Sequence, residues 1–295
     1  MLTELIDAVL GSSLRVQGDQ GRDPDALAGT LLRLAQAHDR IGLKRSRCAS
    51  AMGNRVLNSS QISRLTHDQV KNLVLEFADA TQWDGHEDLI ACAWLDAAAS
   101  PSTQLWIPPL GDGLPRVEGI YEQLLEGDQG VFLGSRPSTL PAPVNAALSN
   151  CSLKLAQALQ QLGYVGRCSF DLLVTGSLDD EFEVVFSECN GRWGGTSTPM
   201  ALVDRLVIHP NPPGPRHHYR AQDVLFDELI GRPFDDVIDA LGDELWRPRQ
   251  GGRFILYNVG PLARSGKLDV VALARTNEEA DERMLAQLPS LLGLG

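Results

Sequence analysis

The chain has 295 residues, room for about two domains of roughly 150 or one large one. Its 43% hydrophobic and 22% charged residues suit a sizeable buried core. A net charge of −12 argues against a surface built for nucleic acid, and no apolar stretch approaches the roughly 20 residues of a membrane span. The first residues, Met1-Leu2-Thr3-Glu4, show neither a basic segment nor a long apolar one, so no secretory leader is expected. Cys48, Cys92, Cys151, Cys168 and Cys189 form an odd set without a CxxC pair. They suggest no disulfide framework or zinc ribbon and fit a reducing cytoplasm. The charge is uneven: residues 1–72 hold ten Lys/Arg against seven Asp/Glu, and Lys44, Arg45, Arg47 and Arg55 cluster around a glycine-containing loop.

Asp23-Pro24 reads as an N-cap followed by Pro at the first helical position. Leu27, Leu31, Leu34 and Ala35 continue at helical spacing. Ile41 to Lys44 is expected as a strand, Arg45 to Asn54 as a loop of small and polar residues, and Arg55 to Leu57 as the returning strand. Thr66 to Gln69 has the pattern of a capping box and opens a helix striped by Val70, Leu73, Val74 and Phe77. The runs Leu89–Leu95 and Thr103–Ile107 are expected to pair as strands across a loop at 96–102. Residues 110–141 are rich in Gly and Pro. A long helix then runs from Pro143 to a stop at Gly163. Arg167–Thr175 and Phe182–Asn190 alternate as a hairpin about the turn Gly176–Glu181. Residues 209–216 are too proline-rich for regular structure. Asp223–Ile230 and Phe234–Leu241 read as short helices, Gly251–Val259 as a strand and Asn277–Leu288 as a closing helix. Mixed strands and helices indicate an α+β or α/β fold.

The hairpin carries the chemistry. Under period-two alternation Phe182, Val184, Phe186, Glu188 and Asn190 share a face. If Thr175 pairs with Phe182, Asp171 lies opposite Phe186 on that same face; a slip of one residue moves it to the other. Asp171, Glu188 and Asn190 would then converge as oxygen donors, the ligand type Mg2+ takes together with phosphate oxygens and water. The structural alternative pairs Asp171 with an arginine such as Arg167 and leaves Glu188 to cap a turn. Gly191, Gly194 and Gly195 follow and allow close backbone approach, and Arg192 offers a fork of donors to phosphate or carboxylate oxygens. His217-His218 lack companions at zinc spacing, Cys48 lacks a histidine partner motif, and Cys189, Trp94 and Trp106 read as core.

Three segments in this order resemble the ATP-grasp superfamily: Leu43 to Asn54, Leu162 to Asp171, and Glu188 to Arg192. Within it the chain most resembles the peptide ligases related to pheganomycin biosynthesis, which carry a pre-ATP-grasp domain ahead of the grasp. The resemblance covers roughly residues 25–200. It implies an ATP-grasp fold of two α/β subdomains clasping a nucleotide, divided as 1–95, with the phosphate loop, and 96–295, with the metal motif and a C-terminal extension. It implies that Lys44 contacts the α- and β-phosphates, and that Ser46 to Asn54, including Arg47, Ser50 and Gly53, close over the β- and γ-phosphates. Asp171, Glu188 and Asn190 would hold Mg2+. Arg192 would stabilise charge on the transferring phosphoryl group, with Arg167 beside it as a second catalytic candidate. The implied activity is an ATP- and Mg2+-dependent carboxylate–amine ligase that joins a small-molecule acid and amine through an acyl-phosphate, in the cytoplasm.

The sequence departs from the family pattern in places. No lysine precedes Lys44, where an earlier nucleotide-contacting lysine is usual, and the start lies too near the lysine strand for the family's preceding domain, which leaves three expectations: a domain from another chain, a truncated start or a degenerate protein. Ala51 and Met52 stand where related loops are richer in glycine, and Ala91 to Asp96 offers no evident adenine contact. These departures keep open a second reading: a non-catalytic or degenerate nucleotide-binding subunit whose N-terminal domain comes from a partner chain. A basic-patch nucleic-acid binder is disfavoured by the acidic remainder.

Overall fold

The computed structural model describes residues 2–11, 14–46, 53–128, 130–208 and 218–294. Helix α1 (Leu2–Val9) leads into strand β1 (Gly18–Gly21) and helix α2 (Pro24–Leu34), whose N-cap Asp23 accepts the backbone N–H of Asp25. Strands β2 (Arg40–Arg45) and β3 (Asn54–Asn58) pair antiparallel, with Lys44 opposite Asn54. After the short helix α3 (Ser59–Ile62), helix α4 (His67–Ala80) begins in the expected capping box of Thr66 and Gln69. Strand β4 (Leu89–Ala93) completes a four-stranded sheet in the order β1-β4-β2-β3. Leu27, Leu31 and Leu34 of α2 and Val70, Val74 and Phe77 of α4 bury their stripes against Ile41, Leu43 and Leu89. Truncating one fully buried leucine such as Leu31 to Ala would cost about 2–5 kcal/mol.

The rest of the chain builds an eight-stranded antiparallel sheet. Strands β5 (Pro101–Ile107), β6 (Arg116–Glu126) and β7 (Val131–Pro137) precede the long helix α5 (Ala142–Gln161). The hairpin follows as β8 (Gly166–Gly176) and β9 (Phe182–Asn190), then helix α6 (Ser197–Val203), strand β10 (His218–Leu225), helix α7 (Phe234–Leu241) and strand β11 (Phe254–Tyr257). Helix α8 (Leu262–Ser265), strand β12 (Lys267–Ala274) and helices α9 (Asn277–Glu282) and α10 (Leu288–Leu291) close the chain. The strand order is β11-β12-β10-β7-β6-β5-β8-β9. Val144, Leu148 and Leu155 of α5 cover Leu105, Ile107, Phe170, Leu172, Val174, Val184 and Phe186, and Ile6 of α1 joins this core.

Three sequence expectations are corrected. The runs at 89–95 and 103–107 do not pair with each other: β4 lies between β1 and β2 in one sheet, and β5 lies between β6 and β8 in the other. Both are apolar because both are interior strands, and an apolar run carries no information about its partner. Asp223 to Leu225 belong to β10, and only a single 3₁₀ turn, Asp227–Leu229, follows. A short apolar run fits either state until pairing with β12 decides it.

The third correction concerns the hairpin register. Gly176, not Thr175, lies opposite Phe182, so Leu172 faces Phe186. A bulge at Ser187 then brings Asp171 opposite Glu188 and Ser169 opposite Asn190. Glu188 and Asn190 therefore do not share a face with Val184 and Phe186, which point into the core beneath α5. For Asp171 the one-residue slip and the one-residue bulge add to two, so its opposite number moves from Phe186 to Glu188 while it keeps a common face with Glu188.

Candidate active site

Lys44, Ser46, Gly53 and Asn54 from the first sheet and Asp171, Glu188, Asn190 and Arg192 from the second line one cleft of about 780 Å³. The β2–β3 hairpin closes at its base by a hydrogen bond from the Arg45 N–H to the Gly53 carbonyl, 2.8 Å. Arg47, Cys48 and Ser50 lie outside the described residues. Lys44 is at the cleft end of β2, with its ammonium 5.1 Å from the centre of the Trp94 ring. Neighbouring Arg45 also lines the cleft and pairs with buried Glu87. In the segment after β4, Asp96 is held by Arg40.

Across the cleft, Asp171 and Glu188 face each other on adjacent strands. Like charges directly opposed on a sheet are unfavourable unless something cationic meets them. The Asn190 side-chain amide donates to Asp171 Oδ2 at 3.0 Å, a bond that does not use its side-chain oxygen. Burial pushes the Asp171 carboxyl up to about 6, and Glu188 adds to this by repulsion. Hydrogen bonds from Ser102 and Gln123 and the charge of Lys44 act in the opposite direction. Lys44 thus influences Asp171 from the other sheet.

Two carboxylates and one carboxamide oxygen make a hard, all-oxygen donor set that suits Mg2+. Among the described residues no group of three or more His, Cys, Asp or Glu offers a cage of protein ligands. Cys168 and Cys189 beside the site are pushed up to about 12 by burial, so neither is a thiolate nucleophile near neutral pH.

Arg192 is exposed on the loop after β9, with Nη1 3.3 Å from the Trp193 carbonyl. Arg167 does not line the cleft and does not pair with Asp171: its guanidinium pairs with Glu118 and lies 4.9 Å from the centre of the Trp193 ring. The loop is braced from inside. The Gly194 N–H donates to Ser197 Oγ at 3.1 Å, and Ser197 Oγ donates to buried Gln104 at 2.8 Å. At Gly195 any side chain would meet the Phe132 ring at 2.9 Å. His218, which lacks companions at zinc spacing, sits in β10 with Nδ1 3.1 Å from Asn277 Oδ1.

Sequence reasoning missed two groups in the same cleft. Ser102, Gln104 and Gln123 stand on β5 and β6 behind Asp171; the polar run Ser102-Thr103-Gln104 inside an apolar strand was the available signal. Asp223, Asn258, Lys267 and Asp269 form the other end of the cleft. Strands β10 and β12 bring together two aspartates 46 residues apart, and no local pattern announces that pairing.

No protein-family model and no curated protein sequence matches this chain. Solved structures do match it. Carboxyaminoimidazole ribonucleotide synthase from Aspergillus clavatus, complexed with ATP, superposes with a TM-score of 0.61 at 12% identity, over 99% of this chain and 72% of that one. Biotin carboxylase from Campylobacter jejuni, in a β,γ-ATP complex, gives 0.61 at 14% identity, over 96% and 63%. The biotin carboxylase domain of Hydrogenobacter thermophilus 2-oxoglutarate carboxylase, with MgADP, ADP and bicarbonate, gives 0.62 at 14%, over 99% and 68%. The chain has the α+β ATP-grasp fold.

Proposed function

We propose that this chain is an ATP- and Mg2+-dependent carboxylate–amine ligase that forms an amide or peptide bond through an acyl-phosphate. The observation that carries the reading is that one cleft is lined by a lysine strand and loop on one sheet and by Asp171, Glu188, Asn190 and Arg192 on the other. The ATP, ADP and MgADP complexes of the structural neighbours support a nucleotide there. The reading divides the chain into a smaller subdomain, 1–95, and a larger one, 96–295. Among such ligases the pheganomycin-type peptide ligases remain the subtype favoured by the sequence motifs, with the cytoplasm as the setting.

Asp171, Glu188 and the Asn190 carbonyl would hold Mg2+, which neutralises phosphate charge when bound. Lys44 presents its ammonium to the same phosphates from the opposite sheet. Ser46, Gly53 and Asn54 line the cleft at the phosphate end, and the family resemblance gives Arg47 and Ser50 to the same phosphate loop. Arg192 would stabilise the negative charge on the transferring phosphoryl group or on the acyl-phosphate it becomes, as the bond to the ADP oxygen breaks. Arg167 acts through Trp193, keeping the loop that carries Arg192 in position. Catalysis of this kind is positioning and electrostatics, with no covalent enzyme nucleophile.

The first test is calorimetric titration of MgATP into the wild-type chain and into Glu188→Gln. Micromolar, Mg2+-dependent binding that falls at least tenfold in the variant is expected. Turnover then separates the ligase from a subunit that only binds nucleotide and takes its remaining domain from a partner chain. The ligase releases ADP and phosphate when acid and amine are both present, and hydroxylamine intercepts the activated acid as a hydroxamate. A wild-type chain that is folded yet binds no MgATP overturns both readings.

A further inference from the structure

At the end of the cleft away from β8 and β9, Asp223 of β10 lies directly opposite Asp269 of β12. Tyr257 of β11 lies opposite Asp269 on its other side. All three line the cleft, as do Lys267 and Asn258. Two aspartates facing each other across a strand pair repel and add nothing to a sheet. One cation serves both. Lys267 Nζ is 2.8 Å from Asp223 Oδ2 and 3.7 Å from Asp269 Oδ1, the second distance being too long for a hydrogen bond. Asn258, in a left-handed conformation with φ of 49°, turns its amide to donate to Asp269 Oδ2 at 2.8 Å.

Asp269 is 7% exposed, and its Oδ1 has no hydrogen-bond donor among the described residues. A buried carboxylate oxygen without a donor is unfavourable and calls for one. Burial also holds this carboxyl above its usual range. Two carboxyl groups thus share one ammonium, and Asp269 Oδ1 has no N–H donor among the described residues. Val271 and Leu273, further along the same face of β12, are buried in a core next to the charged end.

We propose that this end of the cleft binds a protonated primary amine, whose ammonium group supplies a second positive charge and the missing N–H donor to Asp269 and Asp223. The idea that this amine is the acceptor of the ligation rests on the function proposed above; the amine site itself does not. Lys267 competes with the ligand for the same two carboxylates. Tyr257 and Asn258 border the ammonium and restrict its size.

The test uses butylamine as the probe, with butan-1-ol and butanoate as neutral and anionic matches of similar length. Binding is followed by saturation-transfer NMR and calorimetry on the wild-type chain, Asp269→Asn and Lys267→Gln. Thermal melts verify that each variant is folded. Butylamine is expected to bind in the millimolar range, at least tenfold more tightly than either match. D269N should weaken it at least tenfold. K267Q should strengthen it severalfold, a change of sign that general damage to the sheet would not produce. Equal binding of the three probes, no butylamine binding, or unchanged binding in D269N overturns the proposal. Displacement of butylamine by Mg2+ alone, lost in D269N, also overturns it and makes the site a metal site. MgADP is titrated in parallel: its failure to bind the wild-type chain refutes the ligase reading and leaves amine binding to be judged by the variants.

Discussion

Asp171 shows how one side chain reports on its site. Its carboxyl is pushed up to about 6 from an ordinary value of 3.8, first by burial and then by Glu188 opposite. Below pH 3.8 the group is neutral in both the folded and unfolded chains and makes no difference. Above pH 6 the unfolded chain ionises freely, while the folded chain must hold the charge at a cost. Stability of the ligand-free protein therefore falls as pH rises through this window. Asp171→Asn removes the charge and keeps the shape. The variant is expected to be more stable than wild type at pH 7.5, by on the order of 2 kcal/mol, with the difference gone by pH 4. Urea unfolding at the two pH values measures this. A variant less stable than wild type at pH 7.5 would mean that the hydrogen bonds to Asp171 outweigh its burial. The same penalty explains why the position suits a cation-binding role: a site held slightly unstable when empty binds its ion more tightly.

At the scale of elements, local signals were legible and long-range pairings were not. The cap of α2 at Asp23, the capping box at Thr66 and the stop of α5 at Gly163 depend on residues a few positions apart, and all three appear as read. The hairpin was legible for the same reason, and so was the gathering of Asp171, Glu188 and Asn190 near its end. Its register was not, because nothing in Ser187 marks it as the bulged residue. The partners of β4 and β5 and the pairing of Asp223 with Asp269 were also hidden, since they depend on which strands meet after the chain has travelled tens of residues. Gly134 marks one such meeting. It lies where β7 meets β10, paired with Gln222, and a Cβ there would stand 2.0 Å from the Ala221 carbonyl oxygen. That neighbour is backbone and cannot rotate aside. Gly134→Ala is expected to destabilise the chain by about 3 kcal/mol, at the upper end of overpacking costs. Gly21→Ala, a strand glycine with open space around it, should stay within about 0.5 kcal/mol. Equal effects in thermal melts would show that strand glycines here act through the unfolded chain alone. Because β10 carries Asp223, loosening this joint should also disturb the amine end of the cleft before the carboxylates of β8 and β9.

At the scale of the molecule, two sheets with separate cores face one cleft, and each brings charges that its own fold does not neutralise. Lys44 comes from the net-positive first quarter of an otherwise acidic chain, and Asp171 with Glu188 from the acidic remainder. A Mg2+–nucleotide complex matches both, offering anionic oxygens to the lysine and a cation to the carboxylates. Binding of this kind ties the sheets together and appears as added stability. At a ligand concentration a hundred times Kd the gain is about 2.7 kcal/mol, which a differential scan records as a rise in Tm. At the same fixed MgATP concentration the rise should shrink in Lys44→Met and in Glu188→Gln. It should also shrink for the wild type between 50 and 500 mM salt, since the proposed contacts of Lys44 and Arg192 with phosphate would be screened. The two variants should differ without Mg2+. Free ATP then has no ion to offer Glu188, so only K44M should reduce whatever small shift remains. If both variants respond alike with and without Mg2+, or if salt leaves the shift untouched, the nucleotide does not bridge the sheets through these charges.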